Sequence, residues 1–297
     1  MLSLAPFRYR NILEKDGGPV RKVNAAETTL WDGSARFSAA ASLVPALRPA
    51  RPKAALYDDD DGGGTHPSRN MACFIAISEA LERWAYYAAS RGERRGELGF
   101  DREDSTTGRA AFPAFTAGPA RERARHEAAE RWGLLEWWQG NLPARTLPLA
   151  SSRAEAVEVL TPFRGSRLVI LWTKCPGSGA FAYGFAGAGD VAKAVEKAGV
   201  ELTRNITVLE RHSAKPAGGP VRLMGERRLL RFSTADGFQA FRARLGSSRT
   251  ASTCPKAPEA VVDAEVPGPW SRYARVWRTL YPHAAPDDES ELDVFTF

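Results

Sequence analysis

The segment Ser78-Glu79-Ala80-Leu81-Glu82-Arg83-Trp84-Ala85 recurs almost unchanged as His126-Glu127-Ala128-Ala129-Glu130-Arg131-Trp132-Gly133. Both copies read as helix, where residues three apart share a face, so Glu79 lies beside Glu82 and Glu127 beside Glu130. Like charges so placed repel, and more strongly once water is removed. Two such pairs in matching surroundings point to a shared cation. Carboxylate oxygens favour a hard ion, and Mg²⁺ carried by nucleotide phosphates is the commonest case. A plainer alternative stands beside this one, because Glu, Ala, Leu and Arg also build ordinary solvated helix faces.

Several elements must position these residues. Residues 1–56 form an arginine- and proline-rich segment with a weak strand around Glu27–Trp31, and Asp58 to Thr65 reads as an exposed acidic and glycine-rich loop. A long helix opens near Pro67-Ser68 and runs to about Ser90–Gly92, with Met71, Phe74, Ile75, Leu81 and Trp84 on its apolar side. Gly92 to Gly108 is polar loop and Ala110–Phe115 a short strand. The second long helix starts at Gly118-Pro119 and ends near Trp137-Trp138, which read as core residues. After a linker at Asn141–Leu149, strands are expected at Ala156–Thr161, Leu168–Trp172 and Ala180–Ala186.

Asp190 is the expected N-cap of a third helix, Val191 to about Arg211. A strand over Arg228–Phe232, a helix over Ala235–Leu245, a linker at 246–269 and a strand at Tyr273–Trp277 follow. Strands and helices mix without a regular βαβ rhythm, so the fold class is α+β. The expected organisation is a core over 57–245, joined by the 246–269 linker to a C-terminal strand and tail over 270–297 that belongs to the same core.

Bulk composition narrows the function. The 297 residues carry 41 Lys and Arg against 35 Asp and Glu, a formal charge of +6 that favours acidic ligands. These cations are dispersed, without the run and interleaved aromatics of a nucleic-acid surface. No apolar stretch reaches membrane-span length and the N-terminus does not read as a signal peptide, so a cytoplasmic protein is expected. Cys73, Cys175 and Cys254 form neither a disulfide framework nor a zinc pattern. The histidines, His66, His126, His212 and His283, are scattered, and no Ser-His-Asp or Cys-His constellation supplies a nucleophile. The Gly187-Ala188-Gly189 stretch lacks the spacing of a dinucleotide fingerprint.

Taken in order, the glycine-rich stretch, the first Glu-x-x-Glu-Arg helix, Ser105-Thr106-Thr107-Gly108-Arg109-Ala110, the second Glu-x-x-Glu-Arg helix, Glu201-Leu202-Thr203-Arg204-Asn205, and Arg275-Val276-Trp277-Arg278 with Tyr281-Pro282 resemble the YcaO superfamily. The resemblance implies ATP bound with Mg²⁺ and phosphorylation of a peptide backbone amide oxygen, then attack by a side chain, sulfide or amine. Heterocycles, thioamides or amidines in modified peptides result, so no catalytic nucleophile is expected from the protein.

Carried over residue by residue, it makes Glu79, Glu82, Glu127, Glu130 and Glu201 metal ligands, and adds Arg83, Arg131, Arg204, Asn205, Thr107 and Gly108 to the nucleotide site. A precursor peptide, a ThiF-like or TfuA-like partner protein and a homodimer are the implied associations, with neither nucleic acid nor membrane. Departures from the pattern touch that same site. Gly62-Gly63-Gly64-Thr65 carries no lysine, Ile75 stands where a serine is usual, Arg204 where glutamine is usual and Trp132 where aspartate is common. The proline-rich terminus of azoline-forming members is missing, which disfavours that product. A non-catalytic YcaO-like subunit that binds a precursor peptide or partner enzyme is therefore the alternative, and an unrelated basic α+β binding protein a third.

Overall fold

The computed structural model describes residues 4–49, 54–101, 106–215, 220–248, 255–282 and 292–296. Ser105, Cys254 and His283 lie outside them. Three antiparallel sheets and three long helices make up the core. A short helix α1 (Ala5–Arg8) precedes the first sheet, β1 (Val20–Thr29), β2 (Ala35–Leu43) and β3 (Gly62–His66) in that spatial order. Helix α2 (Arg69–Ala89) follows and packs across β3 and β2. Next come β4 (Thr107–Phe112) and helix α3 (Gly118–Gln139). The four-stranded sheet is a meander, β5 (Ala144–Thr146), β6 (Glu155–Val159), β7 (Arg167–Lys174) and β8 (Phe181–Ala188), covered by helix α4 (Val191–Ala214). Helices α5 (Met224–Ser233) and α6 (Ala235–Ser248) lead to β9 (Val262–Glu265) and β10 (Arg275–Leu280). Strand β10 lies between β4 and β9, so the last strand among the described residues completes the sheet under α3.

Each long helix meets its sheet through the same device. Ala72, Ala76 and Ala80 of α2 form a fully buried stripe at four-residue spacing, as do Ala120, Ala124 and Ala128 of α3 and Ala194, Ala198 and Leu202 of α4. Opposite each stripe a strand carries glycine. A Cβ on Gly62 would overlap Ala76 O, one on Gly108 would overlap Ala124 O, and one on Gly184 would overlap Ala198 O. Helix and strand backbones are thus in direct contact, which only glycine on the strand permits.

This device explains where the sequence expectations fail. The acidic glycine stretch is an irregular segment only at its start, where Asp58 and Asp59 are exposed, and becomes buried at Asp61 and strand-forming from Gly62 onward. Gly62–His66 pairs with β2, with Ala41 opposite Gly62 and Phe37 opposite His66, while Asp61 is fully buried and accepts from Leu43 N–H at 2.9 Å and pairs with Arg48 at 3.0 Å. The buried face of α2 is the alanine stripe with Ile77 and Leu81, rather than one running through Met71, Phe74 and Ile75, because large side chains would hold helix and strand apart. The N-terminal segment contributes two full strands instead of one weak one. Arg228–Phe232 is helical, since Leu229 and Phe232 turn onto one face and the buried Glu226 of α5 accepts N–H bonds from Ala55, Leu56 and Tyr57 at 2.8–3.2 Å. Short strands β5 and β9 lie inside the two expected linkers.

Other expectations match. Asp190 caps α4 by accepting from Lys193 N–H at 2.8 Å, Trp137 is fully buried, and the mixture of helices with antiparallel sheets is α+β. No helix among the described residues is long and apolar enough to cross a membrane.

Gly108→Ala should lower the unfolding free energy by about 3 kcal/mol, the upper range for overpacking, because a helix backbone blocks the new methyl. Gly246→Ala in α6, where nothing lies within 4 Å, should instead stabilise by about 0.5–1 kcal/mol. Urea unfolding checks both, and equal stability of Gly108→Ala and wild type would refute the backbone contact.

Candidate functional site

With one edge of each helix pressed against a glycine, the neighbouring edge is fixed as well. On α2 that edge carries Glu79, Glu82 and Arg83, on α3 Glu127, Glu130 and Arg131, and on α4 Glu201, Arg204 and Asn205. The first two helices repeat one another bond for bond. Glu79 accepts from Gly63 N–H at 2.9 Å with one oxygen and from Arg83 at 2.9 Å with the other, and Arg83 also donates to Asp60 O at 3.1 Å. Glu127 accepts from Arg109 N–H at 2.8 Å and pairs with Arg131 at 2.6 Å, and Arg131 donates to Thr107 O at 2.9 Å. The third helix keeps the frame with altered side chains. Asn205 stands in the arginine position and donates to Tyr183 O at 2.8 Å, while Arg204 occupies the place of the second glutamate.

The five glutamates sense one another. Burial, then the Glu127 charge, raises the Glu82 carboxyl to about 8 against a partial offset from Arg109, which lies 3.7 Å away. Burial, then Glu201, raises Glu130 to about 8, although Glu130 accepts from Gly187 N–H at 2.6 Å. Burial also raises Glu201. The Arg131 guanidinium is held above its ordinary value chiefly by Glu127. Partial desolvation opposes the Arg204 charge, but Glu201, Tyr57 and Glu79 outweigh it.

A single five-carboxylate shell does not form. Among the described residues no group of three acidic, histidine or cysteine side chains is arranged to hold a metal ion, because Glu79 and Glu127 each engage an arginine with one oxygen and a backbone N–H with the other. The donor set nevertheless fits Mg²⁺, which usually takes one or two protein carboxylates and completes its shell with phosphate oxygens and water. Glu82 and Glu130 are the strongest candidates, being carboxylates that burial has pushed towards the neutral form and that a nearby divalent cation would return to the charged one.

The remaining expected residues divide. Gly108 faces α3, and Thr107 is buried, its hydroxyl accepting from Arg278 at 3.3 Å, so both belong to the scaffold rather than to a ligand surface. Asn205 is buried and also accepts from the Tyr57 hydroxyl at 2.5 Å, which makes it a strut for the wall. Arg204 is more than half exposed, pairs loosely with Glu201 at 3.7 Å and lies over the Tyr57 ring at 5.3 Å. Arg109, Tyr57 and Tyr86 also border the site and were not singled out in the sequence. The one hint for Arg109 was its place directly after the strand glycine.

No protein-family model and no curated protein sequence matches the chain. Solved structures do. The structure of YcaO from Methanopyrus kandleri bound with AMPPCP and Mg²⁺ aligns with a TM-score of 0.53 at 14% identity, over 94% of this chain and 89% of that one. This chain has the YcaO fold. A heterocyclase in complex with substrate and cofactor aligns equally well, TM-score 0.53 at 12% identity over 94% of this chain, which spans about half (51%) of the heterocyclase. At such identities the YcaO likeness concerns the backbone, and the side chains described above belong to this chain alone.

A pH test follows. Folded Glu82 and Glu130 keep their protons up to about pH 8, whereas unfolded they release them near the ordinary 4.5. Between those values the folded state binds more protons, so its stability falls as pH rises. In EDTA, the melting temperature of Glu82→Gln or Glu130→Gln should therefore decline less than wild type between pH 5 and 8.5. Parallel profiles would contradict the raised carboxyls of Glu82 and Glu130.

Proposed function

We propose that this chain binds MgATP between α2, α3 and α4 and phosphorylates a backbone amide oxygen of a peptide for heterocycle, thioamide or amidine formation. The observation that carries this reading is the convergence, on a YcaO fold, of glutamates from three helices, two of them half-buried and shifted towards the neutral form. An amide is a poor electrophile. Transfer of the terminal phosphoryl group to its oxygen, with release of ADP, makes that oxygen a leaving group. A nucleophile then adds to the carbon, and phosphate departs.

Such chemistry asks for positioned charge rather than a protein nucleophile. Mg²⁺, when bound, neutralises phosphate charge and orients the transfer. Glu82 or Glu130 would hold it together with phosphate oxygens and water, while Arg83 and Arg131 fix the anchoring carboxylates Glu79 and Glu127. Tyr57 holds the α4 wall through Asn205. In this reading the protein works in the cytoplasm on a ribosomally made precursor peptide, with a ThiF-like or TfuA-like partner presenting it and a homodimer as the assembly.

Arg204 favours a second reading, a non-catalytic subunit that uses the fold to bind a precursor peptide or partner enzyme. A cation stands where α2 and α3 carry their second glutamate, and it draws on Glu201. Calorimetry and ATP turnover separate the two. The enzyme reading expects ATP binding only with Mg²⁺, because clustered carboxylates alone repel triphosphate, and a loss of about 100-fold or more in ATP consumption for Glu130→Gln. Folded wild-type protein that gives no Mg²⁺-dependent ATP heat would select the non-catalytic reading.

A further inference from the structure

The arginines bordering the site are not equivalent. Arg83 and Arg131 each hold a glutamate and a backbone carbonyl, so their geometry is set by the scaffold. Arg204 is the most exposed of the four and lies over Tyr57. Arg109 differs from all three. Its guanidinium lies over the Tyr86 ring at 4.2 Å, and its Nε is buried without a hydrogen-bond partner. Its ion contact with Glu82 spans 3.7 Å, beyond hydrogen-bond length.

The backbone at this position is the opposite of loose. Arg109 N–H is held by Glu127, and β4 is locked by the neighbouring Gly108 against α3 and by pairing of Arg109 with Arg278 of β10. Because successive side chains of a strand alternate, Gly108 faces α3 and Arg109 projects the other way, towards Glu82 and Tyr86 of α2. A cation is thus fixed at its root between the two glutamate pairs, steered by an aromatic face, and left with a buried donor unmatched. A buried unmatched N–H is costly unless something completes it. Carboxylates of the site are ill placed to do so, since the near one stays 3.7 Å away. Planar N–H donors of a guanidinium match phosphate oxygens two at a time.

We propose that Arg109 is the site's polyphosphate-contacting residue, pairing with Glu82 when no ligand is bound and meeting phosphate oxygens of a nucleotide when a divalent cation takes over the Glu82 charge. This rests on the MgATP reading above and adds the residue that recognises the anion. It also supplies, from β4, the positive charge that the lysine-free glycine strand β3 lacks.

Titration calorimetry of the full-length chain with AMPPCP and Mg²⁺ tests it, using Arg109→Met and Arg109→Lys. Arg109→Met should weaken AMPPCP binding about 10- to 100-fold, in line with loss of a charge-assisted contact of about 1.5–3 kcal/mol. Arg109→Lys should recover part of that loss as a point charge. Inorganic tripolyphosphate with Mg²⁺ should compete with AMPPCP on wild type and lose that ability on Arg109→Met. Circular dichroism verifies that both variants are folded, and an unfolded Met variant leaves the Lys variant and the tripolyphosphate competition on wild type to decide. Wild-type affinity retained in Arg109→Met, with wild type binding AMPPCP, would overturn the role of Arg109 alone. Absence of binding to wild type would remove both this proposal and the MgATP reading.

Discussion

Three times in this molecule the backbone of a strand rests directly on the backbone of a helix, with glycine on the strand and a stripe of small residues on the helix. Gly62 meets Ala76, Gly108 meets Ala124 and Gly184 meets Ala198. Everything in the site depends on these contacts. They bring the strand so near that its N–H groups reach the helix carboxylates, as Gly63 reaches Glu79 and the Arg109 main chain reaches Glu127. They also fix the rotation of each helix, so the edge bearing Glu-x-x-Glu-Arg turns inward on α2 and α3. On α4 the same edge bears Glu201, Arg204 and Asn205, a third version of the unit in which one acid and one base have been exchanged for a base and an amide.

Gathering five carboxylates is unfavourable in itself, and the fold divides the difficulty. Glu79 and Glu127 each bond an arginine and a backbone N–H and serve as anchors. Glu82, Glu130 and Glu201 carry the repulsion and the burial, which is why their carboxyls lie above the usual range. Carboxyls raised in this way are ones that a nearby cation would return to the charged form. Arg204 softens the third wall, and Arg109 spans the gap between the first two.

Much of this was legible in the sequence, for reasons that can be traced. The Glu-Ala-x-Glu-Arg-Trp repeat identified two helices and their inward edges because identical side chains at one spacing imply identical packing. The third helix was readable through its capping aspartate and Glu201. The glycine stretch after Asp61 was misread, since glycine signals loop by composition and close approach only by context, and the context here is an alanine stripe on a later helix. Arg228–Phe232 was ambiguous because five residues with apolar Leu229, Leu230 and Phe232 beside arginines are too short a run to separate strand from helix. Arg109 went unmarked for a related reason: its role comes from the side of β4 it occupies, and that is set by which neighbour faces α3. Gly108 drew attention as a possible ligand contact, whereas its missing side chain serves the helix.

The central claim is that the space enclosed by the glutamate edges of α2, α3 and α4 holds a divalent cation together with a nucleotide. Crystals grown with Mn²⁺ and AMPPCP test it most directly, through the anomalous scattering of manganese. The account predicts an anomalous peak within coordination distance of Glu82 or Glu130, with phosphate density beside it and Arg109 turned towards that density. Peaks confined to other acidic surfaces, with the glutamate pairs unchanged and no nucleotide between the helices, would contradict it.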